Sequence, residues 1–543
     1  MPENSLDIIS CDVLIVGGGG AGIRAAIAAR EKGTDVLIVS KSRIGYGNNT
    51  FISKGVFAAA TGWSTSFDNP EVHIKDIIEG GRFINDRRLV KKVAEGSPEQ
   101  IGFLEKCGVK FSRKNGKISM THTPGHSYPR HVAGEHHTGS DFIIPLREYA
   151  SKAGVRFMEK VFITKLFSSM GRIAAATGID HEGRFLSISA NCILIATGGF
   201  AQIYLHNNNA AGMTGDGLAL SFNLGLSLRD MEFVQFYPTA LGKRGNRLLL
   251  YEALVFDAKA TLKNSMGEDI ISKYGLSDPL KMTRDRLSRA IMKEILDGRD
   301  VSKGVTLDLS TVQEGDLKRM SYLLPPMKNG GKEELIISPT AHFTMGGVEI
   351  NEETETAVQG LFAAGEVSSG VHGANRLGGN ALAEVFAMGA IAGKNAAKKA
   401  LETKRVKLPK DEIYAERKQI ESLYYEGQAD IRELRRSLKE TMWRNAGIIR
   451  HRNGMKEALK KIKELSSYVP DLYVKDRTAL VKSLELRNMF LVSEMVCRAA
   501  LKRTESRGAH YREEYPAEDN DNWLKNIVIR KEGSQMKLEA MLL

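Results

Sequence analysis

The stretch HGANRLGGNAL, residues 372–382, sets one arginine, Arg376, among glycines, a histidine and two asparagines. A guanidinium is a rigid planar fork of N–H donors that matches a carboxylate through two parallel hydrogen bonds. A solvent-facing turn has little use for such a group; an anion-binding corner has. Residue types alone leave both readings standing: a surface turn, or a carboxylate clamp ahead of the mostly apolar run Ala381 to Ile391.

A second stretch suited to ligand chemistry is Gly17-Gly18-Gly19-Gly20-Ala21-Gly22, which follows the apolar segment Val13 to Val16. Ile23 to Glu31 then reads as an alanine-rich helix and Asp35 to Val39 as a second buried strand. Strand, glycine loop, helix and strand in quick succession is the context that turns GxGxxG into a dinucleotide signal. Gly17 permits the tight turn, Gly19 lets a pyrophosphate approach the backbone, and Gly22 lets the helix pack closely with its positive end toward the phosphates. Nicotinamide sites usually place an acidic residue at the end of the second strand, but here Ser40-Lys41 stands there. That leaves FAD as the candidate dinucleotide, with Ser40 and Lys41 beside it, and a single complete GxGxxG argues against a second, NAD-binding unit.

The elements that must position these groups are legible in outline. Cys192 to Ala196 runs into Thr197-Gly198-Gly199, and Leu361 to Ala364 into Gly365-Glu366. Several separated strands returning to one ligand edge indicate an α/β fold with a doubly wound sheet. Residues 240–350 are mixed, charged and poorer in glycine, as in an insertion over that sheet. From about residue 405 the chain is highly charged with amphipathic helical spacing.

With 543 residues, 42% hydrophobic and 26% charged, the chain is long enough for two to four domains with a sizeable core. The net charge of +12 comes from scattered lysines and arginines, and the densest stretch, Lys398 to Lys410, reads as a solvated helix end and linker. The pattern disfavours nucleic-acid binding and fits an acidic protein partner or an anionic small substrate. The four cysteines, Cys11, Cys107, Cys192 and Cys497, are dispersed and form no CxxC pair, so neither a disulfide framework nor a cysteine-ligated iron–sulfur cluster is expected. The N-terminal apolar run has no basic segment before it, and no apolar stretch reaches ~18 residues. The expectation is a cytoplasmic protein with no membrane span of its own, with peripheral attachment through a partner left open.

Taken in order, VLIVGGGGAGIRAA, ATGGF, MTGDGLAL, LRDMEFVQFYPTAL, SPTAHFTMGG, LFAAGEVSSGVHGANRLGGNAL, RTESRGAHYREEYP and NWLKN resemble the flavoprotein subunits of the succinate dehydrogenase and fumarate reductase family, which includes L-aspartate oxidase. The resemblance spans nearly the whole chain. It implies a Rossmann-like FAD-binding domain (1–238 and 349–404), an inserted α+β capping domain (239–348), a C-terminal helical domain (405–510) and a C-terminal segment (511–543). It implies an FAD-dependent oxidoreductase that moves hydride between flavin N5 and the carbon–carbon bond of a carboxylic acid, fumarate/succinate or another 2-enoate. It also implies an electron-transfer partner, an iron–sulfur protein or another carrier.

Carried over motif by motif, the resemblance places Thr50, Gly55, Thr197, Gly198, Asp216 and Glu366 at the cofactor, beside Gly17, Gly19, Gly20, Ala21 and Gly22, with Asn380, Ala381 and Leu382 at the isoalloxazine. Many members attach FAD to a histidine, but the matching stretch GYGNNT carries Asn49, so FAD is expected to be noncovalent. Arg376 matches the carboxylate clamp, His342 a second carboxylate ligand, and Arg284 in MTRDRLSR the proton donor.

The pocket motifs also depart from the family pattern. Tyr237 replaces a substrate-binding histidine and Tyr251 a threonine; Glu252 is kept, but Val255 replaces a relay arginine. Thr123 stands where a pocket phenylalanine is common. The histidines His122, His126, His131, His136 and His137 suggest a metal at first sight. Their match to a stretch beside flavin and substrate argues against one, with His126 lining the pocket and the others serving as packing or surface residues. Two functional classes remain: a reductase of an unsaturated acid, fumarate or one with an aromatic end for the tyrosines to meet, with aspartate oxidation a weaker option; or an electron-relaying flavoprotein whose pocket is altered or lost.

Overall fold

The computed structural model describes residues 8–242, 248–250, 253–256, 259–278, 282–319 and 334–543. Its largest sheet has four parallel neighbours in the order Arg156–Glu159, Val36–Ser40, Ile8–Val16 and Phe185–Ile195, and Leu361–Ala363 pairs in parallel with the end of the last of these. Arg172–Ile179 and Phe162–Ser169 extend the sheet as antiparallel strands. The ends of Ile8–Val16, Val36–Ser40, Phe185–Ile195 and Leu361–Ala363 meet at one edge, where α/β sheets bind ligands.

Gly20–Arg30 is a helix buried over all but its last residue, so it lacks the polar face of a surface helix. It packs against the long helix Asn380–Glu402 at very short range. A Cβ on Gly393 would stand 2.1 Å from the carbonyl oxygen of Ala25, and one on Gly389 2.9 Å from that of Ala21. Small residues on both helices let the backbones touch, and this contact fixes where Asn380–Glu402 begins relative to the glycine loop.

A separate apolar core is built by residues of the 240–350 region, among them Leu241, Leu262, Leu287, Ile291, Leu307 and Ile337. It lies on an antiparallel sheet ordered Val234–Leu241, Leu335–Thr344, Val305–Asp308 and Thr261–Lys263, with helix Arg284–Leu296 against it. After residue 405 come helices Lys410–Glu421, Ile431–Asn445, Arg452–Ser466 and Arg477–Lys502. The hairpin Lys525–Glu532/Gln535–Leu542 then adds to the short strands Leu228–Arg229 and Gly347–Val348. The four cysteines are buried free thiols, and no helix among the described residues is long and apolar enough to cross a membrane.

Candidate active site and dinucleotide cradle

The glycine loop meets the backbone requirements its spacing suggests at Gly17 and Gly22, and leaves open space at Gly19. Gly17 adopts φ +126°, open only to glycine, and a Cβ there would lie 2.1 Å from the Ala196 carbonyl oxygen. A Cβ on Gly22 would lie 2.1 Å from the Gly17 oxygen, so the helix can start this close only without one. At Gly19, by contrast, nothing comes nearer than 3.9 Å; this residue caps the helix without a side chain of its own, and the Gly20 N–H donates to Thr50 Oγ1 at 3.2 Å. The donors that follow Gly20 in the first turn are left for an anion.

That loop opens into a cavity of about 2060 Å³, roughly twice the upper range for an ordinary small-molecule pocket. Every residue placed at the cofactor from the sequence lines it except Gly22 and Asn380. Gly22 is consumed by packing; Asn380 is fully buried, its Oδ1 accepting from His73 Nε2 at 2.9 Å. Lys41 bridges Asp216 (2.5 Å) and Glu485 (2.9 Å), so helix Arg477–Lys502 also closes this end of the cavity. Burial raises the Glu485 pKa, but Lys41 and Lys482 outweigh it and hold the group at about 2.

Asn49 is committed to neighbours: its Nδ2 donates to Asn209 Oδ1 (2.6 Å) and Glu366 Oε2 (3.0 Å), and its Oδ1 accepts from the Ala210 N–H (3.0 Å). Burial pushes the Glu366 carboxyl up, opposed by these amide bonds and by Thr344. The wall at this position is a polar brace without an imidazole.

At the other end of the same cavity, Thr123, Tyr237, Arg284, His342 and Arg376 converge. Buried Arg376 donates from Nη2 to Gln235 Oε1 at 3.0 Å and lies 4.5 Å over the Phe343 ring. Arg284, first residue of its helix, reaches the same oxygen through Nη1 at 3.4 Å, with its guanidinium 4.8 Å over the Tyr237 ring. Gln235 in turn donates to Asn375 Oδ1 (2.9 Å) and the Arg376 carbonyl (2.7 Å). One buried amide therefore ties both guanidiniums to one corner.

His342 is the extra residue of a β-bulge: Gln235 pairs with Phe343 but Phe236 with Ala341. A bulge re-aims the unpaired side chain, here into the cavity beside Tyr237, whose ring is 5.3 Å away. Burial, then the charges of Arg376 and Arg284, hold the imidazole well below its ordinary pKa, so it is neutral. Its Nδ1 faces the Asn208 amide oxygen at 3.2 Å.

The histidine stretch departs from the sequence expectation. His126 does not line the cavity; it lies behind the wall, with Nε2 donating to the Gly378 carbonyl at 2.8 Å. Gly125 turns the chain at φ +87° just before it, and His122, His131, His136 and His137, expected to be packing or surface residues, line the cavity instead. Tyr251 and Glu252 lie outside the described residues. Val255 is 5% exposed and belongs to the second apolar core. Among the described residues no group of three or more His, Cys, Asp or Glu could hold a metal ion.

The relatives agree with this geometry. A family model described as "FAD binding domain" matches residues 12–382, and one described as "Fumarate reductase flavoprotein C-term" matches 435–541. The chain belongs to the fumarate reductase and succinate dehydrogenase flavoprotein family. It is 38% identical to an uncharacterized FAD-dependent oxidoreductase of Methanocaldococcus jannaschii, over 98% of both chains. It is 36% identical to one of the subunits of the fumarate reductase (CoM/CoB) of Methanothermobacter marburgensis, over 97% of this chain and 98% of that one. E. coli quinol fumarate reductase FrdA superposes with a TM-score of 0.91 at 28% identity, covering 99% of this chain and 97% of the other. The protein is thus an FAD-dependent oxidoreductase with the mixed α/β fold of this family and a helical C-terminal region. Its glycine cradle and continuous cavity fit that cofactor.

Proposed function

We propose that the protein reduces the carbon–carbon double bond of an unsaturated carboxylic acid, fumarate or another 2-enoate, held between Arg376, His342 and Arg284. The observation that carries this reading is the convergence of two arginines on Gln235 at the end of the dinucleotide cavity, with a neutral histidine beside them. FAD supplies the hydride chemistry when bound, held noncovalently because Asn49 offers no attachment point. Arg376 grips the substrate carboxylate and stabilises the enolate-like charge that grows on it as the β-carbon is reduced. His342 adds a second donor from Nε2 when Asn208 turns its amide over to face Nδ1 with an N–H.

Arg284 delivers the proton to the α-carbon. An ordinary guanidinium is a poor acid, with a pKa above ~12, so its proton must be replaced promptly. Glu252 is the reloading group in this reading, while buried Val255 cannot carry a proton. Residues 239–348, which supply Arg284 and Tyr237's strand partner, act as a cap that shields the acid from water. Electrons arrive from a separate iron–sulfur or other electron-transfer protein, supported by the Methanothermobacter relative being named as one subunit of a fumarate reductase. Any membrane association runs through such a partner.

The test is anaerobic reoxidation of the reduced, FAD-loaded protein by a panel of enoates, followed at the flavin band. Rapid reoxidation by at least one acid, lost in Arg376→Gln, is the expected result. Reoxidation by a partner protein but by no acid would make the chain an electron relay instead.

A further inference from the structure

Thr123 and His131 form a pair that none of the chemistry above uses. Both line the substrate end of the cavity, and Thr123 Oγ1 is hydrogen-bonded to His131 Nδ1. The other face of the imidazole is fixed: His131 Nε2 lies 2.9 Å from the Gly378 carbonyl oxygen. A carbonyl only accepts, so the Nε2 proton must be present. His126 donates to the same oxygen from its own Nε2 at 2.8 Å, while its Nδ1 faces the Arg130 guanidinium at 3.5 Å and so carries a lone pair. Burial, then neighbouring positive charge, keeps both imidazoles well below their ordinary pKa, so neither carries a second proton.

His131 Nε2 also lies 3.2 Å from His126 Nε2, and because the Gly378 carbonyl can only accept, both ring protons turn toward its oxygen. A neutral His131 with hydrogen on Nε2 has a lone pair on Nδ1. Thr123 must donate its only hydroxyl proton there, which leaves its oxygen as a pure acceptor toward the cavity. Gly379 makes the arrangement possible: at φ +75° it lacks the Cβ that would sit 2.7 Å from His131 Nε2. The pair also lies beside the reacting corner, since a Cβ on Gly378 would be 3.1 Å from Thr123 Cγ2 and 3.6 Å from both His131 Cε1 and Arg284 Nη2.

We infer that Thr123, locked by His131, is a specificity-determining acceptor that selects an unsaturated acid carrying a hydrogen-bond donor, a hydroxyl or N–H, away from its carboxylate. The inference rests on the enoate reading and narrows its substrate class. A hydroxyl free to rotate would take either a donor or an acceptor; this one rejects acceptor-only groups, because two oxygen lone pairs would face each other in a desolvated pocket.

Three probes of similar shape test it: crotonate, 4-hydroxycrotonate and 4-methoxycrotonate, titrated into the oxidised FAD-loaded protein, with dissociation constants read from the flavin absorbance change. The hydroxy acid is expected to bind about tenfold more tightly than the methoxy acid. Thr123→Val removes that preference, Thr123→Ser keeps it, and all three proteins hold equal amounts of FAD. Equal binding of the hydroxy and methoxy acids, or a preference that survives Thr123→Val, overturns the inference while leaving the enoate reading intact. If none of the three acids perturbs the flavin, this inference falls, while the enoate reading stands or falls on the reoxidation panel.

Discussion

Replacing Gln235 by glutamate tests whether the corner is built for an anion. Gln235 is fully buried, and its Oε1 accepts from Arg376 Nη2 at 3.0 Å and Arg284 Nη1 at 3.4 Å. In Gln235→Glu a carboxylate meets two guanidiniums at these distances. At an effective dielectric constant of about 20, charges about 4 Å apart attract by about 4 kcal/mol per pair. Burying the carboxylate costs several kcal/mol, and the bonds to Asn375 Oδ1 and the Arg376 carbonyl are lost, each worth about 1 kcal/mol. The balance is a stabilisation on the order of 1–3 kcal/mol, or roughly 1–3 °C in apparent Tm for a chain of this size. The resident carboxylate also neutralises the positive charge that the substrate's carboxylate would meet, so the acid that binds best should lose about 100-fold or more in affinity. Thermal denaturation and flavin-monitored titration read the two effects separately. A variant that melts lower and binds acids as tightly as the parent would show that the two arginines do not form an anion site.

Other consequences are as direct. Gly17→Ala forces φ +126° on an alanine and drives its Cβ into the Ala196 carbonyl, a strain of about 3 kcal/mol; FAD content after gel filtration should fall, with affinity down on the order of 100-fold. His73, lowered to about 3 chiefly by burial, and His126, His131 and His510, lowered in the same direction, are neutral when folded but take up protons when unfolded below pH 6.5. Their folded pKa values are depressed, so stability falls as pH drops below 6.5, by about 2 kcal/mol per imidazole at pH 5; a Tm flat between pH 7 and 5 would contradict this. With Asn49 at the attachment position, acid precipitation should leave colourless protein and a yellow supernatant, whereas flavin fluorescence retained by the protein on a denaturing gel would rule out noncovalent binding.

The legible parts of the sequence were those whose signal is local. Gly17 and Gly22 report backbone requirements at their own positions, and the structure meets both of them. Arg376, His342 and Arg284 lie far apart in the chain, and the family motifs located them on one cavity where composition could not. Gln235 was missed although it lies two residues before Tyr237 on the same strand, because a single amide in an apolar run carries no sign of two arginines arriving from elsewhere. The bulge at His342 and the docking of the C-terminal hairpin onto Leu228–Arg229 depend on pairing between distant segments, which leaves no local periodicity. His126 lies behind the wall while His122, His131, His136 and His137 line the cavity, because position near a motif does not say which way a chain turns after Gly125. The partnership of Lys41 with Glu485, more than 400 residues on, is likewise a product of the tertiary fold.

The most direct measurement is a crystal structure of the FAD-loaded protein soaked with the acid that reoxidises it fastest. A carboxylate within hydrogen-bonding distance of both Arg376 and His342, with the double bond between Arg284 and the flavin, is the predicted result. Density for the acid elsewhere, with Arg376 and Arg284 still closed on Gln235, would contradict the account.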